Sequence, residues 1–118
     1  MEWSFRSELP IYSQLVDHIK LAIVSGEFSP GERLNSVRDM AAEAGVNPNT
    51  LQRALQELER QGLVYSQRTA GRFVTEDTRT IESCRHALAQ GLLRSFTEAM
   101  KQLGYDRAAI LALIQEEA

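Results

Sequence analysis

Along most of this chain, apolar residues recur with the three-to-four-residue spacing of an α-helix. This spacing predicts a first helix that begins at Pro10 and ends at Gly26. After a loop that contains glycine and proline, Ser36 is expected to cap a second, shorter helix, which ends at Gly45. The first part of the chain is therefore predicted to hold two helices of unequal length.

A third predicted helix follows after two residues and carries the clearest pattern in the chain. Asn47 is expected to cap it, Pro48 suits its first turn because no N–H is needed there, and Gly62 ends it. Its apolar side consists of Leu51, Ala54, Leu55 and Leu58, and its opposite stripe of Asn49, Arg53, Gln56 and Arg60. Amides and guanidiniums pair with base edges and phosphates, so the stripe is a candidate DNA-reading surface. The same pattern also fits an ordinary solvated helix face.

Two strand-like runs come directly after the third helix, at residues 63–66 and 72–75, and Gly71 gives the turn between them its freedom. A short helix, a tight turn, a longer helix and a hairpin follow one another in this order in a winged helix-turn-helix. Arg68 and Arg72 are expected at the hairpin tip, where guanidiniums reach phosphates or the minor groove. The alternative is an edge hairpin that two arginines keep soluble.

The remainder of the chain is predicted to be helical. A polar linker is expected at residues 76–80, followed by a helix of about six turns from Ile81 to Gly104 and a last helix capped by Asp106. Within the long helix, Gly91 marks either a close crossing of two helices or a kink.

Two helices of this size remove too little apolar area from water to fold alone. They are expected to pack on the rest of the chain, on a second subunit, or on both. A homodimer is favoured, because two-fold symmetry buries the same stripe twice. The expected dimerisation residues are Ile81, Cys84, Leu88, Leu92, Phe96 and Leu103.

Composition changes this picture only slightly. The chain has 118 residues, of which 43% are hydrophobic, and a net charge of −3. Because DNA-binding domains are often basic, the charge argues mildly against DNA and makes any contact depend on a few well-placed arginines. No apolar run is long enough to span a bilayer, and the acidic, polar start is unlike a secretory signal. A single cysteine fits a reducing cytoplasm, so a cytoplasmic location is predicted.

The chain offers no recognisable catalytic or metal-binding pattern. His18, His86 and Cys84 lack the spacing of a zinc site. No catalytic triad, pair of carboxylates or glycine-rich phosphate loop stands out. We therefore predict no enzyme activity, no metal and no cofactor.

Three runs of sequence carry a resemblance to a known family: GEFSPGERLNSVRDMA, GVNPNTLQRALQELERQGLV and AGRFV. Over about residues 9–75 the chain resembles the GntR family of bacterial transcription regulators. The resemblance implies an N-terminal winged helix-turn-helix that binds operator DNA as a homodimer. The NPNT form around Pro48 and the short tail are similar to the YtrA-like subfamily, whose tail is a helical dimerisation unit.

The resemblance also implies roles for individual residues. Arg38 matches the phosphate-binding arginine of the family, and Gly71 matches the second glycine of its wing. Thr69 and Arg72 depart from the usual wing pattern GxGTFV, in which a glycine and a threonine stand there. The full set of residues expected to contact DNA is Arg33, Ser36, Arg38, Asn47, Pro48, Asn49, Thr50, Gln52, Arg53, Arg68, Gly71 and Arg72.

We therefore predict a mainly α fold with a small β-hairpin wing: a winged helix-turn-helix domain at residues 1–75 and a helical dimerisation tail at residues 76–118. The predicted function is repression of transcription by a homodimer bound to a pseudo-palindromic operator in double-stranded DNA. One alternative is a winged helix that binds another protein. Another is a regulator with an effector pocket lined by Leu92, Phe96 and Met100. The sequence names neither the effector nor the operator.

Overall fold

The computed structural model describes residues 1–117. In chain order the elements are α1 (Ile11–Val24), α2 (Val37–Ala44), α3 (Pro48–Arg60), β1 (Val64–Gln67), β2 (Gly71–Val74), α4 (Thr78–Gln102) and α5 (Arg107–Glu117). They form two compact units, which we call the winged unit, residues 1–83, and the C-terminal unit, from residue 84 onward. The predicted fold, mainly α with a β-hairpin wing, is confirmed.

The core of the winged unit lies where α3 packs against α1 and α2. The predicted apolar side of α3 is confirmed, since each of its four residues is at most 1% exposed. From α1 the core receives Leu15, Ile19 and Ile23, all fully buried. Because this packing covers one side of α3 completely, the opposite stripe must face away from the core.

Local capping fixes the turn between α2 and α3. The Ser36 Oγ accepts a hydrogen bond from the Asp39 N–H at 3.1 Å, and the Asn47 Oδ1 accepts one from the Asn49 N–H at 2.8 Å. Between the two helices, Gly45 adopts a φ of +70°, which a residue with a Cβ rarely does. The predicted starts and ends of both helices are confirmed.

The wing is an antiparallel hairpin whose base lies in the core. Its register pairs Val64 with Val74 and Gln67 with Gly71. The segment before α2 forms a single isolated antiparallel bridge to the wing, between Arg33 and Phe73, and the Leu34 N–H donates to the Arg72 carbonyl at 2.9 Å. Val64 and Val74 are buried, so the hairpin is anchored at its base and its turn extends from the unit.

Helix α4 begins at Thr78, inside the stretch that we predicted to be a polar linker. The reason is that Asp77 caps it: the Asp77 Oδ1 accepts hydrogen bonds from the N–H groups of Arg79 and Thr80 at 3.0 and 3.4 Å. The expected start at Ile81 was therefore wrong by three residues. At the other end, Asp106 caps α5 as predicted, accepting from the Ala109 N–H at 2.9 Å.

The C-terminal unit leaves most of its apolar side uncovered. Among its described residues, Ile110 is the one buried hydrophobic side chain, whereas Leu92 and Leu103 are 74% and 73% exposed. Phe96 and Met100 line an open groove of about 550 Å³ along α4 and α5, and Leu92 does not contribute to it. Across residues 1–117, no helix is both long enough and apolar enough to cross a membrane.

Candidate nucleic-acid interface

The outer stripe of α3 is exposed along its whole length, as the helical spacing predicts. Near its middle, the Arg53 guanidinium lies over the Tyr12 ring of α1, 4.8 Å from the ring centroid. A cation held over an exposed aromatic ring gains about 0.5–1 kcal/mol. This contact holds the Arg53 guanidinium over α1 without neutralising its charge.

A carboxylate neutralises the last residue of the stripe. The Arg60 Nε donates to the Glu57 Oε1 at 2.8 Å, and the Gln61 amide donates to the other Glu57 oxygen at 2.6 Å. These hydrogen bonds from Arg60 and Gln61 lower the pKa of Glu57 to about 2, so this carboxylate stays charged at neutral pH. The last turn of α3 therefore offers no unpaired cation, whereas Asn49, Arg53 and Gln56 earlier in the stripe have no carboxylate partner among residues 1–117.

That N-terminal end presents several of the residues predicted to contact DNA. Asn47, Pro48 and Asn49 are exposed, and Thr50 is half-buried. Asn47 uses its side-chain oxygen as the helix cap. Among residues 1–117, the Asn49 side chain has no hydrogen-bond partner, so both its amide oxygen and its amide nitrogen are available to a base edge.

Arg38 and Arg33 come from α2 and from the loop before it. Arg38 is exposed and forms no ion pair with any other described residue. The Arg33 guanidinium lies beside the wing, because a Cβ added to Gly71 would be 3.2 Å from its Nε. Ser36, between them, serves as the cap of α2. Neither Arg33 nor Arg38 pairs with a carboxylate among residues 1–117, so both charges are available to phosphates.

The two wing arginines differ in position. Arg68 lies in the hairpin turn and is exposed, with no ion pair to another residue of the described chain. Gly71, where β2 begins, has a φ of +109°, which explains why this position needs glycine. Arg72 lies within β2 instead of at the tip, and its side chain is only 18% exposed.

Arg72 connects the wing to α3. Its Nε donates to the Glu59 Oε1 at 2.6 Å, and its Nη1 donates to the Gln52 Oε1 at 3.0 Å. The Ser66 hydroxyl donates to the same Glu59 oxygen at 2.6 Å. Burial raises the pKa of Glu59, but the hydrogen bonds from Ser66 and Arg72 outweigh it, so the pKa lies below its ordinary value.

This network was not predicted from the sequence, in which Arg72 and Gln52 were expected to be independent DNA contacts. One signal was available: Gln52 and Glu59 are seven residues apart, which places them two turns apart on one face of a helix. That face is neither the apolar side nor the outer stripe, and it meets the wing. An acid on it, opposite an arginine of the adjoining hairpin, indicates an ion pair between the two elements.

The arrangement of these elements is that of a winged helix-turn-helix, a class that binds DNA. The chain matches the family described as "Bacterial regulatory proteins, gntR family" over residues 11–74. It is 39% identical over 111 residues to the HTH-type transcriptional regulator YhcF of Bacillus subtilis, covering 94% of this chain and 92% of that protein. It is 36% identical over 101 residues to the HTH-type transcriptional repressor YtrA of the same organism, covering 86% and 73%.

Solved structures give the same result. A GntR family transcriptional regulator from Listeria monocytogenes superposes with a TM-score of 0.89 at 38% identity, covering 95% of this chain and 98% of that one. The DNA-binding domain of AraR, solved in complex with an operator, superposes with a TM-score of 0.54 at 29% identity, covering 64% and 88%.

This chain therefore belongs to the GntR family. It is a DNA-binding transcriptional regulator, and its similarity to the YtrA-like regulators, predicted from the NPNT form and the short tail, is confirmed.

Proposed function

We propose that this protein represses transcription by binding a pseudo-palindromic operator as a homodimer. The N-terminal end of α3 lies in the major groove, and the wing lies on the flanking backbone. The observation that carries this proposal is the exposed stripe of α3, in which Asn49 has a free amide in the first turn and Arg53, near the middle, has no carboxylate partner among residues 1–117. Two-fold symmetry then sets the half-sites roughly 34 Å apart, about one turn of DNA.

We assign the interface residues two roles: some read bases, and others bind the phosphate backbone of the DNA. Asn49 has both a donor and an acceptor available, which is the pair that adenine requires in the major groove. Arg38 and Arg68 carry unpaired charges on α2 and on the wing turn, which suits phosphate contacts. The rest of the proposed interface consists of Arg33, Ser36, Asn47, Pro48, Thr50, Gln52, Arg53, Gly71 and Arg72.

The proposed homodimer is supported by the exposed apolar side of the C-terminal unit. Leu92, Phe96 and Leu103 are 74%, 42% and 73% exposed, which is costly for residues of this size in a lone chain. Cys84 and Leu88 are half-buried and adjoin this side. Ile81 is only 6% exposed within the chain itself, so its main contribution is to the packing of the winged unit.

Membership of the family supports two further proposals, on catalytic activity and on location in the cell. The relatives are transcriptional regulators, so we propose that this protein has no catalytic activity. We also propose that it acts in the cytoplasm, because bacterial operator DNA is found there.

The experiment that tests the proposal is a titration of the purified protein against DNA from its own upstream region and against random DNA, at several salt concentrations. We expect a preference for the upstream fragment, two chains per site and a negative slope of log K against log salt. Equal, weak binding to both DNAs would contradict an operator in the protein's own upstream region. No binding even at low salt would favour a winged helix that binds another protein.

A further inference from the structure

We propose that Arg72 is a positioning residue that acts through Gln52. It holds the Gln52 amide so that only its N–H groups face the major groove, and it thereby sets the base that Gln52 selects. This inference rests on the proposed placement of α3 in the groove. It concerns a position where the chain departs from the usual wing pattern, and it assigns Arg72 a role other than contact with phosphate.

Arg72 has a fixed position between the wing and α3. Glu59, itself a residue of α3, accepts from the Arg72 Nε at 2.6 Å, and the Ser66 hydroxyl holds the same carboxylate oxygen at 2.6 Å. The side chains of Arg72 and Glu59 are only 18% and 30% exposed. Because a partly buried pair is less screened by salt than an exposed one, the guanidinium is held firmly between strand and helix.

The Arg72 guanidinium determines which end of the Gln52 amide points outward. Its Nη1 donates to the Gln52 Oε1 at 3.0 Å, which only the oxygen end of the amide can accept. The Gln52 Nε2 has no partner among residues 1–117. The amide is therefore held with its carbonyl towards the wing and with two N–H donors unused.

A Gln52 amide whose oxygen is engaged can read only some of the four bases. A bidentate contact with adenine needs both the oxygen and the nitrogen of the amide, and the oxygen is already engaged by Arg72. Guanine presents two neighbouring acceptors, N7 and O6, in the major groove. A glutamine that offers only donors therefore selects guanine over adenine at its position.

The ion pair of Arg72 with Glu59 supports a positioning role. Glu59 compensates the positive charge of Arg72, and a phosphate would have to displace this carboxylate to bind there. By contrast, Arg68 on the same hairpin has no ion pair within the described chain. The two wing arginines are thus suited to different roles, which makes Arg68 a matched control.

The test starts from operator duplexes that the wild-type protein selects from random DNA. The Kd is then measured for all four base pairs at each operator position, for wild type, Gln52→Ala, Arg72→Met and Arg68→Met. We expect Arg72→Met and Gln52→Ala to lose preference at the same position, by roughly three- to tenfold, as for the loss of one hydrogen bond. The double variant should lose no more there than Gln52→Ala alone.

The salt dependence separates the two roles. We expect Arg72→Met to leave the slope of log K against log salt unchanged. We expect Arg68→Met to weaken all sequences equally and to reduce the slope by about 0.9. If Arg72→Met reduces the slope and leaves every base preference intact, Arg72 is a phosphate ligand and the inference is wrong. The inference would also be wrong if Arg72→Met lost base preference at an operator position different from the one at which Gln52→Ala loses it.

Two further variants guard against a folding defect. Arg72→Lys keeps a donor and the charge, and it should recover part of the preference at the same position. Glu59→Met removes the anchor of Arg72 from the helix side and should lower the same preference. If the wild type selects no sequence at all, the proposed DNA interface fails together with this inference. If it selects an operator that includes no position sensitive to Gln52, the inference alone fails.

Discussion

At the residue scale, glutamates determine which arginines of the winged unit are available to DNA. Glu57 engages Arg60, and Glu59 engages Arg72, whereas Arg38 has no such partner within the described chain. This division explains how a chain with a net charge of −3 can belong to a family of DNA-binding proteins. We expect a few unpaired arginines on the helix-turn-helix and wing to contribute more to DNA binding than the total charge does.

Arg38→Ala tests the role of an unpaired charge. A phosphate contact is independent of sequence, so we expect weaker binding to operator and random DNA alike and a salt slope smaller by about 0.9. Titrations at several salt concentrations measure both effects. Arg94→Ala is the control, because it removes an exposed positive charge from α4. If both variants behave alike, Arg38 contributes only to the general charge.

Asn49→Ala tests base reading. Its free amide is expected to contact one base edge, so the variant should lose about 1–3 kcal/mol of discrimination at one operator position and little elsewhere. Binding of an operator series with single base-pair changes measures this directly. A uniform loss over all sequences would show that Asn49 does not read a base.

At the element scale, the position of α3 depends on caps that the sequence itself encodes. Asn47 and Pro48 start the helix, while Ser36 and Gly45 fix the ends of α2 before it. Capping oxygens satisfy N–H groups that otherwise remain unpaired, so they fix the residue at which a helix begins. The N-terminal end of α3, which we propose reads bases, is thus placed by local interactions before any contact with DNA.

Asn47→Ala tests the cap of α3. Removing an N-cap side chain costs about 0.5–2 kcal/mol, so we expect the free energy of unfolding to fall by that amount in urea titrations. Asn47→Ser should retain most of the stability, because serine also caps well. Asn49→Ala, two residues further on, should change the stability by less than about 0.5 kcal/mol. Equal losses in the two alanine variants would argue against the cap.

These elements also show how much the sequence can predict. The bounds of α2 and α3, the buried side of α3 and the hairpin were predictable, because they follow from spacing and from caps close in the chain. The bond between Arg72 and Gln52 joins residues 20 positions apart. The spacing of Gln52 and Glu59 marks the face of α3 that meets the wing, but it does not identify Arg72 as the partner of Gln52. The start of α4 was missed because Asp77 lies in a polar run, in which a cap and a linker have the same composition.

At the scale of the whole molecule, the C-terminal unit exposes an apolar side, which is unfavourable in water unless a partner covers it. The buried hydrophobic residues are concentrated in the winged unit, and Leu92 and Leu103 remain largely exposed. A second copy of the chain would remove them from water, and two-fold symmetry would also give two reading helices. A variant that cannot dimerise is thus predicted to lose tight binding to its two-fold symmetric operator as well.

Leu92→Glu tests this link. A charge in the proposed dimer surface must be desolvated on association, so we expect the protein to sediment as a monomer and to bind its operator more weakly. Leu21→Glu is the control, because Leu21 is 60% exposed on α1, outside this surface. If Leu92→Glu sediments as the wild type does, the dimer uses another surface.

Gly91 permits a finer test of how two copies would meet. Glycine within a helix costs about 1 kcal/mol relative to alanine, so a chain that gains nothing from it should be more stable with alanine. A Cβ added to Gly91 would have no neighbour within 4 Å among residues 1–117, so no contact inside the chain accounts for the glycine. We therefore expect Gly91 to lie at a close crossing of two α4 helices.

On that basis Gly91→Ala should raise the dimer dissociation constant in sedimentation equilibrium, because the added methyl group separates the helices. Ser95→Ala, at an exposed position one turn further along α4, is the control for helix propensity alone. If Gly91→Ala instead stabilises the protein by about 1 kcal/mol and leaves the dimer unchanged, the helices do not cross there. In that case the exposed leucines, and not the glycine, would define the surface between the two copies.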